Sequence, residues 1–173
     1  MLNPRSKQNR AKNRKPSRRR LRPVLVELER RWLLSTHIVD DPGDFPLDIQ
    51  NGPAETENGT ITLRSAIEQV NIDGGGSIGF ASAITITPFT PYDPITARNV
   101  AIVGPGTVVI DGSNIPNPYG SYNSGFTLLG DHDTLQDLVV DGFGFGDGVD
   151  IDSNDNVLVG DYLSNAGHGI LRS

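Results

Sequence analysis

From Ser77 to the end of the chain, short apolar or alternating runs ("IGF", "ITIT", "VAIVG", "TVVIDG", "FTLLG", "LQDLVV", "GVDID", "NVLVG", "GHGI") are each closed by Gly, Asp, Asn or Pro. No run exceeds six residues. That is too short for most helices and of ordinary strand length. Phe126, Val149 and Ile170 open comparable runs at spacings of 23 and 21 residues, and Leu135 and Val157 stand 22 apart. Such strands cannot bury an apolar face alone. A repeat of 20–25 residues without helix signals therefore predicts an all-β solenoid, in which each coil covers its neighbour.

Composition sharpens this expectation. The chain has 173 residues, among them 20 Gly and 12 Pro, a turn-rich balance that fits one β unit. It contains no cysteine, which excludes disulfides, thiol catalysis and Cys-based zinc sites without fixing the compartment. No window of about 18 apolar residues exists, so no transmembrane helix is expected. The net charge of −6 conceals an asymmetry. Residues 1–31 hold 12 of the 15 Lys and Arg beside Glu27 and Glu29, a balance of +10, whereas residues 32–173 hold three basic and 19 acidic residues, a balance of −16.

Residues 1–36 form a basic arm. The first 20 residues lack apolar periodicity and are expected to be disordered. Leu21, Leu25, Leu28 and Trp32 then mark one stripe of a short amphipathic helix. A secretory signal would need an unbroken apolar stretch of about 7–15 residues, and Glu27, Glu29, Arg30 and Arg31 interrupt it. A nucleic-acid arm would use the same positive charge, yet no base-reading module follows and the acidic body repels phosphates, so no nucleic-acid partner is expected. The third reading is a resemblance. "LERRWLLS" resembles the LEPR-xLL sorting segment of large bacterial surface proteins at Leu28, Glu29, Arg31, Leu33, Leu34 and Ser35, with Arg30 replacing proline. It implies export to the cell surface.

Residues 37–60 read as an irregular lead-in with a short strand at His37–Val39, and His37 reads as a solvated loop residue. In "TLRSAIEQVN", residues 62–71, Leu63, Ala66, Ile67 and Val70 follow helical spacing; Thr60 or Thr62 is available as N-cap and Gly74–Gly76 as terminator. This helix is expected to cap the first coil of residues 77–173. Residues 61–114 resemble the CSLREA-type opening of bacterial surface proteins with a pectin-lyase-like, right-handed, single-stranded parallel β-helix. The resemblance is carried by Leu63, Arg64, Ala66, Ile67 and Asn71, then Ile78 and Phe80, then Ile102, Gly104 and Gly106, with Ile61 and Ser65 departing from the family's Cys and Glu. It implies that residues 61–173 form such a β-helix with a short N-terminal capping helix.

The densest candidate chemistry lies in "DGVDIDSNDNVLVGDYLSNAGHGI", residues 147–170. Strand alternation turns Val149 and Ile151 to one side and Asp150 and Asp152 to the other, their Cα atoms roughly 6.6 Å apart. These aspartates are ligand-binding candidates, and they could support one shared calcium only with further oxygens from a neighbouring coil. The same stretch resembles a polygalacturonase rung, which makes Asp147 and His168 catalytic candidates. Glycoside hydrolysis needs two placed carboxyls, and the family's adjacent Asp-Asp pair is replaced near Gly167-His168. Tyr119 and Tyr122 are candidates for stacking on sugar rings. Glycine-rich "DGGGS" and "VGPG" lack the Lys-Ser/Thr of a phosphate loop, and no G-x-S-x-G elbow is present.

The sequence thus favours a non-catalytic surface or secreted protein with a structural, adhesive or glycan-interacting role over a polysaccharide hydrolase or lyase. Its expected partners are an extracellular polysaccharide or cell-envelope component and, because "HGILRS" offers no cap, another chain stacked end to end.

Overall fold

The structure is a computed structural model and describes residues 35–50, 52–116 and 123–172. The LEPR-xLL-like positions Leu28, Glu29, Arg31, Leu33 and Leu34 lie outside the described residues, as do Tyr119 and Tyr122. Ser35 is described, as the first residue of a strand.

Every strand pairing is parallel. The larger sheet runs through β1 (Ser35–Val39), β2 (Gly76–Phe80), β4 (Val100–Asp111), β6 (Thr134–Asp141) and β8 (Val157–Val159), with β3 (Thr85–Ile86) joining β4 and β9 (Tyr162–Leu163) joining β6. A second sheet contains β5 (Phe126–Leu128), β7 (Asp147–Ile151) and β10 (His168–Arg172), with β7 in the middle. Phe126, Val149 and Ile170, the residues spaced by 23 and 21, are register partners across that sheet. Leu135 pairs with Leu158 instead of Val157, a one-residue correction.

The all-β expectation is corrected. The architecture of the described residues is mixed α/β, with parallel sheets of seven and three strands and one α-helix among them, and it is not the right-handed, single-stranded β-helix solenoid that the repeat suggested. The helix α1 (Leu63–Asp73) is integral to the core: Leu63, Ala66, Ile67 and Val70 are essentially inaccessible and cluster with Val39, Ile78, Ile102 and Ile110. The strands are also unequal. Twelve-residue β4 runs straight through "VGPG", and its ladder with β6 changes register between Val103 and Val108. A proline has no N–H to donate, so Pro105 fits at this irregularity.

Local chemistry explains where α1 begins and ends. The Thr62 hydroxyl accepts the Ser65 N–H while the Ser65 hydroxyl accepts the Thr62 N–H, at 3.1 and 3.0 Å, a reciprocal cap on two otherwise unpaired donors. Ser65, a departure from the resembled family, therefore completes the cap. Gly74 ends the helix at φ 78°, a left-handed conformation that glycine adopts without steric cost.

Side chains also bind successive strands together. The N–H of Val100 donates to Asp133, that of Asp133 to Asn156, that of Asn154 to Asp131, and that of Leu138 to Asp161, at 2.8–3.0 Å. Three of these four links span 23 residues. Three aspartates, Asp131, Asp133 and Asp161, are thus occupied in holding backbone N–H groups of a neighbouring segment. At the β8–β10 edge, Val157, Val159, Tyr162 and Ile170 are exposed.

Candidate functional site

Asp147 opens β7 and His168 opens β10, and parallel pairing makes them direct partners. Close backbone approach sets up the pair: the Gly167 N–H donates to the Gly146 carbonyl at 2.6 Å. A side chain on Gly146 would collide with the Asn123 backbone, and one on Gly148 with the Gly169 carbonyl oxygen. The glycines around the two residues therefore satisfy packing before they serve any ligand.

The structure brings the two catalytic candidates together. His168 Nδ1 lies 2.8 Å from Asp147 Oδ1; the carboxylate is buried and the imidazole is about two-thirds exposed. The contact involves Nδ1 alone, so the buried carboxylate fixes the orientation of the ring. His168 sits in a strand, β10. Asp150, three residues along, is half-buried, and its Oδ1 is buried without a hydrogen-bond partner. Burial, reinforced by the charges of Asp147 and Asp152, pushes the Asp150 carboxyl above its ordinary range. Asp152 is exposed. Among the described residues no group of three or more His, Cys, Asp or Glu side chains converges as a metal site, so Asp150 and Asp152 are not joined by the further carboxylates that calcium would favour.

A separate cleft of about 340 Å³ opens beside β7. It is lined by Ser113, Ile115, Asn123, Phe143, Phe145 and intervening glycines. Phe143 is buried, whereas Phe145 is 71% exposed. The "GFGFG" run was not singled out from sequence. Phe143 and Phe145 each stand between two glycines, so nothing in the run itself distinguishes the buried ring from the exposed one.

His37 also departs from expectation. It is 5% exposed, on β1, and its Nε2 lies 3.1 Å from Ser35 Oγ and 3.3 Å from Asp73 Oδ2. The Ser35 hydroxyl donates to Asp73 at 2.5 Å. Ser, His and Asp are thus together, but in the wrong order for nucleophilic catalysis: one imidazole nitrogen faces both partners, and the serine proton is directed to the carboxylate. The cluster ties β1 to the end of α1.

The fold and the site together define a mixed α/β parallel-sheet protein with an exposed imidazole braced by a buried carboxylate and a neighbouring uncharged cleft. No family profile matches the sequence, and comparison with curated proteins and with solved structures gives no significant match. Among the described residues no helix is long and apolar enough to cross a membrane.

Proposed function

We propose that the chain is a non-catalytic, glycan-interacting module of a protein displayed at the cell surface, with an extracellular polysaccharide or cell-envelope component as its partner. The observation that carries this reading is a cleft whose own lining offers no carboxyl for acid–base work. The cleft beside β7 has no ionisable side chain in its lining. The Asp147 carboxylate is buried against His168. Glycoside hydrolysis requires one protonated and one ionised carboxyl on opposite sides of a bound sugar, whereas recognition requires a concave surface with an apolar face and a few polar groups. Surface display is supported by the resemblance of residues 28–35 to a sorting segment.

One observation favours a second reading, a polysaccharide-cleaving enzyme. A buried carboxylate orienting an exposed imidazole is the base-and-orienter half of many hydrolytic sites. The two readings separate in one assay: the full-length protein, folding checked by circular dichroism, is incubated with neutral and uronate polysaccharides, and new reducing ends and unsaturated products are followed. Binding without product is expected. Turnover abolished in Asp147→Ala and His168→Ala would establish the enzymatic reading instead.

A further inference from the structure

We infer that the cleft beside β7 is a sugar-ring subsite with Phe145 as its stacking face, and that it takes neutral glycans in preference to uronate or sulfated ones. This inference rests on the glycan-interacting reading above and adds the ligand class. The cleft's volume of about 340 Å³ is at the lower end of small-ligand sites, so it suits one or two sugar rings and not a large cofactor. Phe145 leaves most of its ring uncovered, an exposure that costs free energy in water and is relieved by an apolar partner. The other lining side chains are uncharged. Ser113 is exposed and brings a hydroxyl, and Asn123 brings an amide whose Nδ2 donates to the Pro116 carbonyl at 3.2 Å, leaving its carbonyl oxygen to accept. An aromatic face beside neutral donors and acceptors matches a pyranose, which has an apolar C–H face and a rim of hydroxyls.

Charge selects among glycans. Asp111 and Asp141 flank the cleft at the ends of β4 and β6, and the side chain of Asp111 accepts the Ser113 N–H at 3.0 Å. Hydrogen bonds from Ser164 and Asn165 to Asp141 hold its carboxyl below the usual range. It stays ionised at neutral pH. No Lys or Arg lines the cleft, and residues 32–173 contain only three basic residues, Arg64, Arg98 and Arg172. A polyanion would meet repulsion here with no cation to offset it.

The test compares full-length wild type, Phe145→Ala and Phe145→Trp for binding to neutral β-glucan, xylan and mannan oligosaccharides and to oligogalacturonate, by calorimetry and affinity electrophoresis. Because Phe145 is exposed, both variants are expected to keep the wild-type unfolding transition. The expected result is measurable affinity for a neutral oligosaccharide, about tenfold weaker in Phe145→Ala and equal or tighter in Phe145→Trp, with little binding of oligogalacturonate. Neutral-glycan binding unchanged in both variants would overturn the cleft assignment while leaving the glycan-interacting reading intact, as would a preference for oligogalacturonate. Failure of the folded wild type to bind any glycan would overturn that reading and this inference with it.

Discussion

Arg64 and Asp44 meet as a two-pronged ion pair, with Nε to Oδ1 at 2.8 Å and Nη2 to Oδ2 at 3.0 Å, and both side chains are at most 10% exposed. Two further guanidinium protons reach the carbonyls of Thr90 and Pro91 at 2.8 and 3.0 Å. Asp44 also accepts the Phe89 N–H at 2.9 Å. Three segments that share no secondary structure are fastened at this one point.

Removing one partner of such a pair leaves a buried charge unmatched. Arg64→Ala or Asp44→Ala is therefore expected to cost about 3–5 kcal/mol in urea unfolding. The double change Arg64→Met, Asp44→Leu should recover most of that loss. If both single variants unfold like wild type, the pair is not structural.

Tyr92 stacks on Phe126 at 6.0 Å between ring centroids and lies under the Arg64 guanidinium, 5.1 Å away, yet its hydroxyl is buried without a partner. Burial pushes the phenol well above its ordinary pKa. Tyr92→Phe keeps the ring and removes the unpaired group, so it is expected to raise stability by about 1 kcal/mol. A loss of that size would reveal a hydrogen bond absent from this structure.

Asp133 is 1% exposed; it accepts the Val100 N–H at 2.9 Å through Oδ1, while Oδ2 has no partner. Burial pushes its carboxyl up to about 6, helped by Asp131 and opposed by the Val100 hydrogen bond and by His132. The folded state therefore binds a proton that the unfolded chain releases near pH 4, so this group's contribution to stability is full below that pH and is lost as pH rises to 6. Asp133→Asn keeps an acceptor for Val100. Its stability advantage over wild type should grow across that window to on the order of 2 kcal/mol, as measured by chemical unfolding at a series of pH values. A constant difference would refute the assignment.

Asp73 shifts the other way. Burial raises its carboxyl, but hydrogen bonds from Ser35, Gln69 and His37 outweigh burial and leave it lowered. Its stabilising contribution is therefore present above pH 4 and lost as pH falls through its depressed pKa. Ser35→Ala should cost about 1 kcal/mol at neutral pH and move the acid-unfolding midpoint upward. An unchanged midpoint would show that the hydroxyl does not act on the carboxylate.

What could be read from sequence was local or periodic. The apolar spacing of Leu63, Ala66, Ile67 and Val70 lies within one helix, and the recurrence of Phe126, Val149 and Ile170 lies within one sheet. The division into a seven-stranded and a three-stranded sheet was hidden because β4 passes through Gly104-Pro105-Gly106, which reads as a turn and is instead a register shift inside one strand. His37 looked solvated because its partner Asp73 is 36 residues away. For the site, residue types marked Asp147 and His168, but only the parallel register brings them to 2.8 Å. Phe145 was missed because exposure of an aromatic ring depends on tertiary structure.

The carboxylate and amide links between strands also bear on how this chain can change length. Asp131 holds Asn154, Asn156 holds Asp133 and Asp161 holds Leu138, each across 23 positions. The three offsets overlap between Leu138 and Asn154, so deleting one residue there would put all three links out of phase at once. A single-codon deletion in this stretch should accordingly disconnect β6 and the turns on either side of it in one step, where a substitution at any one of the six residues would cost at most a single link.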